Sequence, residues 1–275
     1  MTSTSFRRWA PRLSPTVVFC ATAALLAAET ATAQGRPPAE WSFTAGVGAL
    51  YAPDYEGSND YKVAPAPVLE LSWRDRVRLT TKGGPGLVVT PLAAKDMKID
   101  LAVRYVFGRD QDDNDALKGL GDIRGGAVAV GRFAYEIGSI EFGLELARDL
   151  GGDRDGRWAA AEAEYAIGGL FNERTRLSVT PHVSWADDNY MSATFGVTAA
   201  QAARSARRYA KYDAGGGFKD AGVAVGVGYR VSDAIYVIGR VDYSRLLGDA
   251  ADSPLVKREG AANQLFGLIG VSYRW

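Results

Sequence analysis

Segments of alternating apolar and polar residues, recurring from residue 41 to the last one, constrain this chain more than anything else in it. The final eleven residues, Leu265-Phe-Gly-Leu-Ile-Gly-Val-Ser-Tyr-Arg-Trp275, state it most compactly. Leu265, Ile269, Val271, Tyr273 and Trp275 share one face of a strand, and the chain stops on an aromatic. Successive strand residues point to opposite faces, and about 9–11 tilted residues cross a bilayer as a barrel strand. The apolar face then looks at lipid, with Tyr273 and Trp275 in an interfacial girdle. A strand of a soluble sandwich fits the same pattern, and the other end of the chain separates the two.

Residues 1–33 read as a secretory signal. Arg7, Arg8 and Arg12 precede an apolar stretch from Leu13 to Ala28, and Ala31-Thr-Ala33 offers an A-x-A cut before Gln34. Pro15 and Thr16 break the stretch, which falls short of the roughly 20 residues of a spanning helix. Phe6-Arg7-Arg8-Trp9 is a poor twin-arginine match, and bulky Phe19 before Cys20 argues against a lipoprotein. Cleavage removes Cys20, the single cysteine, and with it any disulfide, thiolate nucleophile or cysteine metal site. It also removes three arginines and one glutamate from 32 basic and 32 acidic residues, leaving a net charge near −2. That balance has no nucleic-acid footprint. An exported chain without a long apolar run, but with alternating strands throughout, points to an outer-membrane barrel, because only helices and closed barrels satisfy their backbone in lipid.

Twelve strands are expected: Trp41–Ala52, Tyr61–Trp73, Arg76–Lys82, Leu87–Ala93, Met97–Phe107, Asp122–Glu136, Ile140–Arg148, Arg157–Gly168, Arg174–Ala186, Lys219–Val231, Ile235–Arg245 and the closing segment. The pair around Gly83-Gly-Pro-Gly86 carries the weakest signal. Short turns fall on the side of the termini and longer loops on the other, the asymmetry of periplasmic turns and external loops. The expected fold is therefore an all-β, transmembrane, antiparallel up-and-down barrel over residues 34–275, in contact with outer-membrane lipid.

Parity assigns faces. In Met97–Phe107, Ile99, Leu101, Val103 and Tyr105 look outward and Lys98, Asp100 and Arg104 inward; in Ile235–Arg245, Arg240 and Asp242 point inward. A one-residue slip would put these charges in lipid, so register is well specified. The inward set is mixed: Lys62, Arg76, Arg78, Lys98, Arg104, Arg124, Arg132, Arg176, Arg240 and Arg274 against Glu70, Asp100, Glu136, Glu141, Glu145, Glu162, Glu164 and Asp242. Near-balance favours an ion-paired interior, since confined unpaired charges are costly. An ion pathway is the alternative.

Two constellations resemble chemistry. His182 and Ser184 share a face, and with an inward carboxylate they have the residue types of a hydrolase site. Outer-membrane lipid A deacylases resemble this locally, but their site faces the membrane, whereas parity puts this pair in the lumen. The acidic loop 108–121 holds Asp110, Asp112, Asp113 and Asp115. An EF-hand start fails there, because Asp115 stands where glycine is needed and Gly121 where glutamate is needed. No cofactor is implied.

Several segments resemble the MipA/OmpV family: Ala52-Pro-Asp-Tyr-Glu-Gly-Ser58, Trp185-Ala-Asp-Asp-Asn-Tyr-Met191, the run from Phe195 to Ser205, the run from Tyr243 to Pro254, and Gly260-Ala-Ala-Asn-Gln264. The resemblance implies an outer-membrane protein without enzymatic chemistry. Its name-giving members are scaffolds joining a lytic murein transglycosylase to a bifunctional penicillin-binding protein. Candidate binding residues lie in these segments at the outer mouth: Asp54, Tyr55, Glu56, Asp187, Asp188, Tyr190, Arg245, Asp249 and Asp252. Loop packing and turn capping are the structural alternative for the same residues. A narrow solute channel is the alternative to a scaffold, with Arg104, Glu145, Arg240 and Asp242 as its lumen charges, and a hydrolase using His182 and Ser184 is the third reading.

Overall fold

The alternating segments become strands, and the strands close on themselves. The computed structural model describes residues 40–169 and 171–275. Among the described residues the strands are β1 Trp41–Pro53, β2 Tyr61–Trp73, β3 Val77–Thr80, β4 Gly86–Ala93, β5 Met97–Val106, β6 Gly126–Ile137, β7 Ile140–Asp149, β8 Arg157–Gly168, β9 Thr175–Ala186, β10 Gly217–Arg230, β11 Ile235–Leu246 and β12 Asn263–Arg274. Each pairs antiparallel with its sequence neighbours, and β12 pairs with β1 to close the twelve-stranded ring. The expected signal segment, 1–33, lies outside the described residues.

The closing register runs from Thr44 opposite Arg274 to Tyr51 opposite Gly267. Gly46 stands in this seam because a Cβ there would lie 2.3 Å from the Val271 carbonyl oxygen. The outward faces are apolar and exposed: Val47, Val63, Leu101, Val103, Val225, Val241 and Ile269 among them. Aromatics bracket this band. At the end carrying the termini, Trp41 lies 6.4 Å from Trp73 and Phe43 stacks on Trp275 at 5.1 Å. At the other end, Tyr51 stacks on Tyr61 at 4.9 Å and Tyr105 meets Phe107 edge-on at 5.2 Å. An exposed apolar band between two aromatic girdles is the signature of a barrel that spans a bilayer. No helix among the described residues is long and apolar enough to cross a membrane, so the strands do the crossing.

The loops segregate as parity requires. Tight turns follow β2, β4, β6 and β10 at the end with the termini, while the segments after β1, β5, β7, β9 and β11 are longer and lie at the opposite end. Two of these loops are partly helical: α1 Asp188–Phe195 and α2 Ala199–Arg204 between β9 and β10, and α3 Gly248–Asp252 and α4 Pro254–Glu259 between β11 and β12.

One expected inward charge stands elsewhere, and two keep the inward register but lie at the rim. β6 starts at Gly126 and not at Asp122, because residues 122–125 leave the wall: Ile123 bridges Arg109, and Arg124 turns to solvent and forks onto Asp153. Arg76 is exposed in the turn before β3, with its guanidinium on the Thr90 carbonyl 3.2 Å away. Glu136 is exposed at the rim, one residue from the end of β6. The weak signal around Gly83 matches a real irregularity, for β3 has four residues and β4 eight in a wall whose other strands have ten to fourteen.

Leu101, 54% exposed near the middle of β5, reports on the lipid assignment. Leu101→Arg is expected to lower folding stability in vesicles by about 2–4 kcal/mol, the cost of a midplane arginine on a barrel's lipid face. Denaturant titration read by tryptophan fluorescence checks it, and an unchanged midpoint would contradict the lipid assignment.

Candidate functional site

The barrel is stoppered from its outer end by its own loops. Lumen-facing Val88, Ala102, Val106, Val128, Val130, Ala147 and Trp158 form one apolar cluster with Tyr190, Met191 and Phe195 of α1, Ala250 of α3 and Val256 of α4. A second cluster sits above it, joining Tyr55, Leu117, Leu120, Val197, Tyr209 and Leu255. The protein's hydrophobic core is thus not in its wall but in the mouth of its lumen.

Local signals build the stopper. Asp187 caps α1, accepting from the Tyr190 N–H at 3.0 Å. Thr198 and Gln201 form a reciprocal capping box on α2. Ser253 caps α4 with Pro254 at its first position, and its hydroxyl also donates to the Phe195 carbonyl at 2.7 Å, which ties α4 to α1. Gln201 Nε2 reaches the Leu120 carbonyl at 2.6 Å, and the Tyr209 hydroxyl donates to the Ala116 carbonyl at 3.0 Å. Gln264 accepts from the Gly57 N–H and donates to the Ser58 carbonyl, both at 3.1 Å, so the loop after β1 is pinned to the start of β12.

A buried ionic cluster lies inside this apolar frame. Lys219, with its side chain 4% exposed, pairs with Glu56 and with Asp220, the latter at 2.6 Å. Glu56 also accepts from the Tyr190 hydroxyl at 2.9 Å. Lys219 Nζ and the Arg154 guanidinium each lie 5.9 Å from the Tyr190 ring centroid, and Trp158 packs on that ring at 5.5 Å. Burial holds the Tyr190 hydroxyl far above the ordinary phenol range, and the nearby Glu56 charge adds to it. Tyr55, wholly buried, is pushed up to about 12 by the same desolvation. Arg109, buried beside it, is lowered to about 10 by desolvation and stays cationic at neutral pH, with one guanidinium N–H on the Thr194 carbonyl at 3.1 Å.

Below the stopper the lumen is charged and paired. Arg78 and Lys98 both reach Asp100, at 3.2 and 3.3 Å. Arg132 bridges Glu141 at 2.8 Å and Glu162 at 2.9 Å. Arg104 meets Glu145 at 3.6 Å, Arg176 meets Glu164 at 3.2 Å, and Arg240 meets Asp242 at 3.5 Å. His182 Nε2 lies 3.1 Å from the other Asp242 oxygen. Ser184 Oγ makes no hydrogen bond to that ring.

The residues singled out at the mouth divide into buried struts and turn anchors. Tyr55, Glu56 and Tyr190 face inward as described. Asp188 accepts from the Gly216 N–H at 2.6 Å and Asp249 from the Gly215 N–H at 2.7 Å. Asp54 accepts from Asn114 at 3.0 Å and lies 3.8 Å from Lys62. Asp252 pairs with Lys257 at 2.8 Å in solvent, and Arg245 bonds Asn263 at 2.8 Å on the barrel's outer surface, apart from the rest. The acidic loop forms two 3₁₀ turns and borders a polar hollow of about 520 Å³, shared by Asp60, Asp112, Asp113 and Asp115 with Arg207 and Arg258. Among the described residues no three His, Cys, Asp or Glu are placed to hold one metal ion.

Alternation alone hides Lys219 and Asp220. A β-bulge between Phe218 and Asp220 in the pairing with β9 turns two consecutive residues inward, where strict parity allows one. Lys219→Met would leave Glu56 and Asp220 buried without their cation. Breaking a buried pair from one side costs about 3–5 kcal/mol. The expected result is a lower unfolding temperature and proteolysis within 187–216, read on gels beside Lys257→Met, whose solvent pair should have no measurable effect.

A family model described as MltA-interacting protein MipA matches residues 45–275. A search of curated proteins found no match. Among solved structures, the NanC porin is 12% identical, with a TM-score of 0.42 over 83% of this chain and 98% of the porin. A bacterial polysaccharide outer membrane secretin is 9% identical, with a TM-score of 0.46 over 85% of this chain and 98% of its own. OmpT of Vibrio cholerae is 11% identical, with a TM-score of 0.37 over 86% and 96%. The family match takes in β1 from Ala45 on, the other eleven strands and the loops of the mouth, and on it this chain belongs to the MltA-interacting protein MipA family.

Proposed function

We propose that this chain is a non-enzymatic outer-membrane barrel of a Gram-negative envelope that works by binding, as a scaffold for murein-synthesising or murein-remodelling enzymes. The observation that supports this reading is the stopper: an apolar cluster runs from the lumen side of the wall into the loops that cover its mouth. The family description supplies the class of partner, a murein transglycosylase. Such a partner works in the periplasm and meets the rim that carries the termini. There the turns present Arg74, Asp75, Lys95, Asp96, Glu173, Arg174 and Asp233. Arg74 is itself held by Glu40 through a side-chain ion pair and a 2.7 Å backbone bond, which gives this rim one fixed corner.

The charged lower lumen supports a second reading, a narrow permeation route. Planar-bilayer recording distinguishes the two. The purified, heat-modifiable barrel is expected to be silent, and discrete open steps would overturn the plugged reading in favour of the channel. A photo-crosslinking residue at Asp96 or Asp233 is expected to capture a periplasmic murein enzyme in cells. No capture, under conditions that preserve other envelope complexes, would sink the scaffold.

A further inference from the structure

The barrel wall is not equally complete all the way round. β2 pairs with β1 along its whole length, from Trp41 opposite Trp73 to Pro53 opposite Tyr61. On its other edge it pairs with β3 only from Glu70 to Trp73. Thr81 extends that contact a little: its N–H reaches the Leu69 carbonyl at 3.0 Å, and its hydroxyl accepts from the Leu69 N–H at 2.9 Å and donates to the Pro67 carbonyl at 2.8 Å. Above Pro67 the edge of β2 has no strand beside it among the described residues. On the far side, β4 leaves β5 at Gly86 opposite Arg104, with the Tyr105 N–H on the Pro85 carbonyl at 2.9 Å. β5 itself ends at Val106, one residue beyond that bond. The unpaired edge of β2 above Pro67 and the end of β5 therefore flank a notch whose floor is the turn 81–85.

The composition of this edge suits a permanent opening. Leu69 directs both its N–H and its carbonyl toward β3, so the odd-numbered residues of β2 are the ones whose backbone faces the notch. Pro65 and Pro67 lie in that row and have no N–H to leave unsatisfied. Proline in a sheet is confined to edges for this reason. The same two residues deny an incoming strand its ladder, which excludes β-augmentation by a second copy or a peptide.

The height and lining select the occupant. On β2 the notch lies below the stacked Tyr51 and Tyr61 of the girdle, and on β5 it starts at Tyr105 of that same girdle, so it opens obliquely at the outer edge of the apolar band. Its lipid-side rim is Val63, Pro65, Pro67 and Tyr105, all exposed. Its lumen side is Ala64, Ala66 and Val68, small and uncharged. Charge returns only at Lys62 above and at the Glu70–Lys82 pair below, 3.5 Å apart. Overhead, Asn114 of the acidic loop bonds Asp54 at 3.0 Å and Asp60 at 2.9 Å, so that loop crosses the top of β2. We propose that this notch is a lateral window occupied by acyl chains of outer-leaflet lipid, through which the hydrocarbon phase reaches the lumen side of Ala64, Ala66 and Val68.

The full chain carrying Cys20→Ser provides a cysteine-free background for the test. Single cysteines are placed at Ala66, on the lumen side of the window, at Val63 on the lipid side, and at Ala160 on the lumen side of the fully paired wall. Each is labelled with bimane and reconstituted into vesicles of phosphatidylcholine brominated along its acyl chains. Quenching at Ala66→Cys is expected to reach at least half that at Val63→Cys, with Ala160→Cys far less affected. Quenching at Ala66→Cys no greater than at Ala160→Cys, or quenching there by aqueous iodide in place of bromolipid, would overturn the window. The unlabelled Cys20→Ser chain gives a second readout with a phospholipid bearing a diazirine in its acyl chain. Adducts on Ala64, Ala66 or Val68 support the proposal, and adducts confined to outward-facing residues of β2 refute it.

Discussion

Hydrocarbon offers no hydrogen bonds, and that single deprivation organises the whole molecule. A strand in lipid must give its backbone N–H and carbonyl groups to a neighbour, so the twelve strands form a ring that closes at β1 and β12, with the proline-bearing edge of β2 as the local exception. Closure then fixes which side chains are wet. The outward row is surrendered to apolar residues, and whatever charge the strands carry is driven into a narrow interior where it must find a partner. The pairing of Arg78, Arg104, Arg132, Arg176 and Arg240 with carboxylates on their own strand, the next or the next but one is a consequence of confinement more than a source of stability.

With the wall's outer face committed to lipid, the only place left for a conventional hydrophobic core is the lumen. The loops take it. Phe195, Met191, Leu255 and Val256 are as buried as the core of a water-soluble domain, on helices of eight and six residues too short to persist alone. The wall and the stopper thus depend on each other: the strands supply the apolar floor, and the loops cover it.

The wall was legible in the residues, and the mouth was not. Period-two patterning places β2 and β8 at their observed ends, because a slip of one residue would move charge into lipid. It misplaces the start of β6, where Arg124 keeps the alternation while leaving the sheet for Asp153. It also misses Lys219 and Asp220, because a bulge suspends parity there without a distinctive composition. The loop helices carry clear caps at Asp187, Thr198 and Ser253, yet short capped turns between strands read equally as ordinary loop. Tyr55, Glu56 and Tyr190 were visible as a group only through family resemblance, and their geometry makes them struts of the stopper.

Gln264 has a meaning beyond fastening two loops. Its amide reads backbone at Gly57 and Ser58, 207 and 206 residues earlier in the chain, and Ser58 also bridges Gly260. These contacts join the first hairpin to the last and exist only after the final strand has docked on the first. The mouth is in that sense a completion signal. An unfinished or wrongly seamed barrel presents an untidy external face, whereas a finished one presents a single ordered cap. Whether the cylinder is whole is thus displayed at the loop-bearing mouth, at the end opposite to where the seam's terminal residues lie.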